Sequence, residues 1–158
     1  SVNSAEQAQA AIKLAKFHPD GMRGVCRFVR AAEYSYTERG SYFKVANEAL
    51  IIIQLEGKEG LESFDDIIKV NGIDIIFVGP YDLSQSLGVP GEVEHPLVMQ
   101  AIADLNTKAS EKGIVLGTFC DTTKQLQLRK KQGMKYLAYS VDLALFGEKL
   151  TSIKNSLH

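Results

Sequence analysis

Two stretches decide the fold: Leu50-Ile51-Ile52-Ile53-Gln54-Leu55-Glu56 and Asp74-Ile75-Ile76-Phe77-Val78-Gly79-Pro80-Tyr81-Asp82. Each carries a short apolar run rich in β-branched residues, which reads as a strand buried on both faces of a parallel sheet. Each closes on an acid with glycine beside it. If the two strands lie side by side and parallel, Glu56 and Asp82 emerge at the same edge. Two carboxylates at one edge repel unless positive charge sits between them, and a hard divalent cation is the usual solution. The pair therefore points to a metal-dependent enzyme.

The rest of the chain supplies further units of the same kind. Ser4-Ala5-Glu6-Gln7 matches a capping box, and Ala8, Ile12 and Ala15 continue at helical spacing, which predicts a helix over 5–16. His18-Pro19-Asp20-Gly21 stops it. Residues 22–49 read as an irregular loop followed by a short helix near 41–48. Strand 50–55 leads to a helix at 60–70 with an apolar face of Leu61, Phe64, Ile67 and Ile68, ended at Asn71-Gly72. After strand 74–78 comes a loop, 79–94. Pro96 then opens a helix whose buried stripe is Val98, Ile102, Leu105 and Ala109, ended by Gly113. Strand 114–119 is followed by a helix capped by Asp121 or Thr122, carrying Leu126 and Leu128 and stopped by Gly133. Strand 135–141 leads to a last helix from about residue 143. The order β-α-β-α-β-α-β-α demands a parallel α/β sheet. Four such units with a leading helix form half of an eight-fold barrel, which needs about 250 residues, so the chain is short by roughly 90–100 on that reading. A complete small doubly wound domain is the alternative.

Composition narrows the function classes. The chain has 158 residues, enough for one domain with a core, and a formal net charge of −1. That balance gives no electrostatic footprint for nucleic acid. No stretch is long and apolar enough to span a membrane, and none has a signal-peptide pattern. Cys26 and Cys120 form no metal-type cluster, and the expected setting is a reducing cytoplasm, with a disulfide between them left open. Ser1 to Ser4 read as the middle of something, since a helix signal begins at once.

Each candidate site residue also has a plainer reading. A single strand-end acid is often a helix N-cap, but Glu is a poor cap type, and Gly57 and Gly60 suggest a tight loop beside a ligand. Gln54 interrupts an apolar strand two residues before Glu56, which puts both side chains on one face. It is either a satisfied core glutamine or a hydrogen-bond partner for a substrate oxygen. In Gly79-Pro80-Tyr81-Asp82-Leu83-Ser84 the amides of Tyr81 and Asp82 are set to meet an anion as a helix begins, while Ser84 reads as that helix's cap. Asp121 and Asp142 read as N-caps, Cys120 as a small buried hydrophobe, and His18 and His95 as loop residues preceding prolines. His158 is the terminus. Arg23, Arg27, Arg30 and Arg39 read as a solvated or interface surface.

These residues carry a resemblance. Ile53-Gln54-Leu55-Glu56, followed by Gly79-Pro80-Tyr81-Asp82-Leu83-Ser84-Gln85-Ser86-Leu87-Gly88, resembles the HpcH/HpaI family of 2-keto-3-deoxy acid aldolases. Pro19-Asp20-Gly21-Met22-Arg23-Gly24-Val25 and Val70-Asn71-Gly72-Ile73-Asp74 are similar to two further family segments, and the likeness runs over nearly the whole chain. It implies a TIM (β/α)8 barrel that performs metal-dependent, class II aldol cleavage and releases pyruvate from a 4-hydroxy-2-oxo or 2-keto-3-deoxy acid. Carried onto this chain, it implies that Glu56 and Asp82 ligate Mg²⁺, Mn²⁺ or Co²⁺. Gln54 contacts the ketoacid, and the backbone of Gly79, Pro80, Tyr81 and Asp82 holds its carboxylate. The family's catalytic histidine, with its acidic partner, and its enolate-stabilising arginine match no residue here. They belong to early strands, so the chain reads as the C-terminal part of a barrel, either a piece of a larger enzyme or a naturally split or degenerate barrel, inactive alone and associating with its missing N-terminal half or as a homo-oligomer. Two alternatives stand beside this reading. One is a receiver- or flavodoxin-like Mg²⁺-binding module, which needs a strand-end phosphoacceptor near the start and a late strand-end lysine. The other is an enzyme of the phosphoenolpyruvate mutase, isocitrate lyase or citrate lyase β group.

Overall fold

The structure, a computed structural model, describes residues 1–36 and 38–157, and the terminal His158 lies outside them. Four strands form one sheet: β1 (Ile52–Leu55), β2 (Ile75–Val78), β3 (Val115–Cys120) and β4 (Tyr136–Tyr139). They pair in the order β1-β2-β3-β4, every pair parallel. A doubly wound domain reverses its strand order at a switch point. This sheet does not reverse, as a barrel requires and a receiver-like module does not permit.

Helices cover one face only. α1 (Ala5–Ala15) begins at Ser4, whose Oγ accepts from the amide of Gln7 at 3.3 Å, while Gln7 Oε1 accepts from the amide of Asn3 at 2.8 Å. A short 3₁₀ turn (Arg30–Ser35) interrupts the expected loop, and α2 (Arg39–Asn47) is the short helix expected near 41–48. The single helix expected at 60–70 is instead two, α3 (Lys58–Glu62) and α4 (Phe64–Ile67), broken at Ser63. The expected loop after β2 contains a helix, α5 (Pro80–Ser86). α6 (Pro96–Glu111) has Pro96 in its first turn, and His95 Nδ1 caps it by accepting from the amide of Leu97. α7 (Thr123–Lys131) and α8 (Asp142–Asn155) complete the set. Among the described residues no helix is long and apolar enough to cross a membrane.

The strands explain their own asymmetry. On the helix side Ile53, Leu55, Ile76, Val78 and Leu116 are buried against Phe64, Ile67, Val98, Ile102, Leu105 and Ala109. The four apolar positions foreseen for α6 are all in this core. The other face of β1 is open: Ile52 and Gln54 are exposed, so β1 alternates and is not buried on both faces as its composition suggested. In register across this face run Gln54, Phe77, Gly117 and Tyr136. Phe77 and Tyr136 meet edge to face, centroids 6.0 Å apart, over the strand between them. Gly117 makes this possible, because a Cβ there would lie 2.4 Å from the Tyr136 carbonyl oxygen and 2.7 Å from its ring.

The segment between α1 and β1 has its own anchorage. Gly21 crosses the end of α1, where a Cβ would sit 2.5 Å from the Lys13 carbonyl oxygen, and the amides of Met22 and Arg23 satisfy the carbonyls of Lys13 and Lys16. Asn47 imitates a strand partner: its Oδ1 accepts from the amide of Phe17 at 2.6 Å and its Nδ2 donates to the Phe17 carbonyl at 3.0 Å. Phe17 packs with Tyr42 and Phe43, and Arg23 lies over the Phe17 ring at 5.0 Å. Arg23, Arg30 and Arg39 are exposed and Arg27 is half-buried.

The close approach at Gly117 yields a paired prediction. Gly117→Ala is expected to destabilise the fold by about 2–3 kcal/mol through overpacking. Gly24→Ala, which meets nothing within 4 Å, is expected to stay within about 0.5 kcal/mol of the parent. Urea unfolding of both variants measures the difference.

Candidate functional site

The carboxyl ends of the strands form the edge at which α/β proteins place their chemistry. β1 pairs with β2 so that Leu55 stands beside Val78, and the amide of Gly79 donates to the Leu55 carbonyl at 3.0 Å. Glu56 and Gly79 therefore leave the sheet at the same level. A methyl group on Gly79 would lie 2.7 Å from Glu56 Oε2 and 3.3 Å from Gln54 Nε2, so the bare backbone is what makes room for both side chains.

Gln54 is not a buried core amide. It is exposed on the open face, and its Nε2 donates to Glu56 Oε2 at 2.6 Å. The two-residue spacing brings the pair together, and the hydrogen bond fixes one oxygen of a half-buried carboxylate. Gly79 and Pro80 are buried, and Asp82 is exposed in the first turn of α5. That turn has amides without intrahelical partners. Glu56 thus follows the tip of β1 directly, and Asp82 lies in the first turn of the helix that follows the adjacent parallel strand. Among the described residues no group of three or more His, Cys, Asp or Glu side chains converges as a metal cage.

Several polar residues play roles different from those expected. Ser84 does not cap α5. It is fully buried within it, its Oγ donating to the Tyr81 carbonyl at 2.6 Å and accepting from the amide of Gly91 at 2.8 Å, which ties the turn after β2 to the following loop. Asp121 does not cap α7, because Thr122 does so by accepting from the amide of Gln125. Asp142 is the first residue of α8 rather than its cap, and its Oδ1 accepts from the amide of Leu143 at 2.8 Å. Cys120 is buried as expected, Cys26 is exposed, and both thiols are free.

The largest addition to the sequence reading is a contact between strand ends. Tyr81 Oη donates to Asp121 Oδ1 at 2.9 Å, bridging the turns after β2 and β3. That hydrogen bond, with partial burial and the Asp121 charge, raises the tyrosine above its ordinary value and keeps it a donor. The backbone amide of Asp121 donates to Gln125 Oε1 at 2.8 Å, and Gln125 Nε2 donates to Glu94 Oε1 at 3.1 Å. Nothing in the spacing of Tyr81 and Asp121 announces this bond, since the residues are far apart in the chain. Ser140, past the end of β4, holds a left-handed φ of +51°, and its amide donates to the Cys120 carbonyl at 2.9 Å. Asn3, at the other border, donates through Nδ2 to Glu59 Oε2 at 3.0 Å, while its buried Oδ1 has no partner in the structure and lies beside Gly57.

Comparison with known proteins agrees with the sequential parallel strand order. Residues 1–148 match the family described as HpcH/HpaI aldolase/citrate lyase. The 2-keto-3-deoxy-L-rhamnonate aldolase of Salmonella paratyphi B is 36% identical over 153 residues, covering 96% of this chain and 57% of that protein. The hydroxypyruvate/pyruvate aldolase of Sagittula stellata is 30% identical over 148 residues, covering 91% of this chain and 56% of that protein. The crystal structure of an HpcH/HpaI aldolase/citrate lyase family protein from Burkholderia cenocepacia superposes with a TM-score of 0.92 at 29% identity, covering 99% of this chain and 62% of the other. The chain thus spans somewhat more than half the length of these relatives, and its four βα units are part of a (β/α)8 barrel. It belongs to the HpcH/HpaI aldolase/citrate lyase family.

Proposed function

We propose that the chain carries the metal- and ketoacid-binding part of a class II aldolase that releases pyruvate from a 4-hydroxy-2-oxo or 2-keto-3-deoxy acid. On this reading it is one incomplete domain, lacking the N-terminal strands of its barrel, in a cytoplasmic setting. The observation that carries the proposal is the Gln54–Glu56 pair beside Gly79, at strand tips that lie next to the turn bearing Asp82.

Glu56 and Asp82 are the residues that would hold a divalent ion, Mg²⁺, Mn²⁺ or Co²⁺. Carboxylate oxygens suit hard cations, and two of them leave the remaining positions to water and substrate oxygens. The space that a side chain at Gly79 would fill lies against Glu56, which fits an ion and a small acid better than a packed core. When bound, the ion supplies positive charge against the ketone oxygen that becomes negative as the carbon–carbon bond breaks. The protein's own part is positioning. Gln54 holds one Glu56 oxygen and stands where it can meet the ketoacid. The first-turn amides of Tyr81 and Asp82 receive the carboxylate. Ser84 fixes the Tyr81 carbonyl and so the shape of that turn. No residue of this chain is assigned as the base that moves the proton; that group is assigned to the missing strands.

Association follows from what is left uncovered. β1 and β4 are the borders of the sheet, and its open face exposes Ile52 and Tyr136. α8 buries no residue, and Leu143, Phe146, Leu150 and Ile153 recur on it at alternating three- and four-residue spacing, all exposed. Apolar surface of this extent is a docking surface for a second copy or for the missing part of the barrel.

Two expectations test the proposal. The isolated chain binds Mn²⁺ weakly in the presence of pyruvate and shows no normal aldolase turnover; Glu56→Gln and Asp82→Asn each abolish the loss of free-ion Mn²⁺ signal that binding produces in electron paramagnetic resonance titrations. Undiminished binding by the double variant, or full turnover by the unmodified chain, refutes the assignment. In sedimentation velocity the chain runs as an oligomer, and Phe146→Glu with Leu150→Glu reduces its association; a monodisperse unmodified monomer refutes the docking role of these surfaces.

A further inference from the structure

We propose that Asp121, held by the Tyr81 hydroxyl, selects the acceptor half of the substrate, favouring an uncharged hydroxylated aldehyde over one that bears a carboxylate; the inference rests on the aldolase reading above.

The argument begins from register. Gly117 stands beside Phe77 on the open face, and side chains alternate along a strand, so Phe119 and then Asp121 continue that face toward the carboxyl edge. Glu56 continues the same face from Gln54 on β1. Along the edge the order is thus Glu56 after β1, the Gly79–Asp82 turn after β2, and Asp121 after β3. A ketoacid held at the β2 turn has the Gln54–Glu56 pair on one side. On the other side, one strand spacing away, roughly 5 Å, stands Asp121. The part of the substrate that leaves as aldehyde is directed to that side, because the first side is filled.

The electrostatics then choose the aldehyde. Asp121 is fixed at two points, Oδ1 by Tyr81 and the backbone amide by Gln125, and Gln125 is itself held by Thr122 and Glu94. Its carboxylate cannot swing aside without breaking the Tyr81 bond. Glu94 brings a second acid to the same network. Among the described residues no lysine or arginine forms an ion pair with either acid. Arg129 is turned to the helix side, buried, with its guanidinium on Gln132 Oε1 and Met99 Sδ. A hydroxyl on the acceptor can donate to the Asp121 carboxylate, whereas an acceptor carboxylate meets like charge. Tyr81 is the positioning residue in this scheme: it takes up one oxygen of Asp121 and sets the direction of the other.

The test uses the complete barrel, in which carbon–carbon bond formation can be measured, with pyruvate and two acceptors of the same two-carbon length. Glycolaldehyde is neutral and hydroxylated; glyoxylate is anionic. The ratio of kcat/KM for the two acceptors is measured in the unsubstituted enzyme, Asp121→Asn and Tyr81→Phe, with far-ultraviolet circular dichroism confirming that each is folded. The expected result is that the unsubstituted enzyme prefers glycolaldehyde. Asp121→Asn moves the ratio toward glyoxylate by about tenfold as the like charge is removed, with the change in the acceptor KM and not in that of pyruvate. Tyr81→Phe, which removes only the hydroxyl and keeps the ring, shifts the ratio by a smaller factor and keeps the proposal testable if Asp121→Asn does not fold. A ratio unchanged within about twofold in every folded variant overturns the proposal and leaves the aldolase reading standing. An unsubstituted enzyme that joins pyruvate to neither aldehyde overturns the aldolase reading, and this inference with it.

Discussion

The bond from the Gly79 amide to the Leu55 carbonyl, 3.0 Å long, sets the level at which the first two strands release their chains. Everything at the carboxyl edge is placed from that level. Glu56 follows Leu55 directly, Gly79 lies opposite with no side chain to block it, and α5 begins at the next residue. Had the register slipped by one residue, Glu56 would face the helices, where Phe64, Ile67 and Val98 leave no polar partner. The parallel pairing and the absent Cβ thus act together: one fixes height, the other fixes clearance.

Much of this was legible because it is local. The capping box at Ser4, the stripe of α6, the Pro96 start and the strand-end acids all follow from spacings within one element. So does the Gln54–Glu56 contact, which period-two alternation dictates. The misreadings share a cause. The apolar run predicts β1 buried on both faces, because composition does not say which side a helix will cover; Ile52 is as apolar as Ile53, yet 41% exposed against 3%. The helix at Pro80–Ser86 is only half visible, since Gly79-Pro80 announces a start but seven residues are too few to establish a period. Asp121 was read as a cap because a single sequence shows the neighbour Thr122 but not Tyr81, which arrives from another unit. Ser84 was misplaced for the same reason, its partner Gly91 lying in a loop whose path no periodicity reveals.

The two faces of the sheet divide the labour of the molecule. The helix side is mainly hydrocarbon, with the buried Thr118 and Arg129 each given a polar partner, and supplies the stability. The other side keeps a polar tip, a glycine lane at Gly117 and an aromatic pair closing over it, which is the composition of a barrel interior. Because Phe77 and Tyr136 touch across Gly117, the second and fourth strands are coupled on that face as well as through the ladder between them. The coupling keeps the edge carrying Asp121 aligned with the edge carrying Glu56.

The sequential strand order has a consequence for how such a chain is assembled. Ile52 meets Ile75, Ile75 meets Val115 and Gly117 meets Tyr136, so each pairing closes only the crossover between consecutive strands. Closure of short loops loses little chain entropy. Growth can therefore run as a zipper, each unit laid against an existing border, with no distant pairing needed before the next begins. A polypeptide wired this way can gain or lose whole units at its borders over evolutionary time while the retained ones keep their shape.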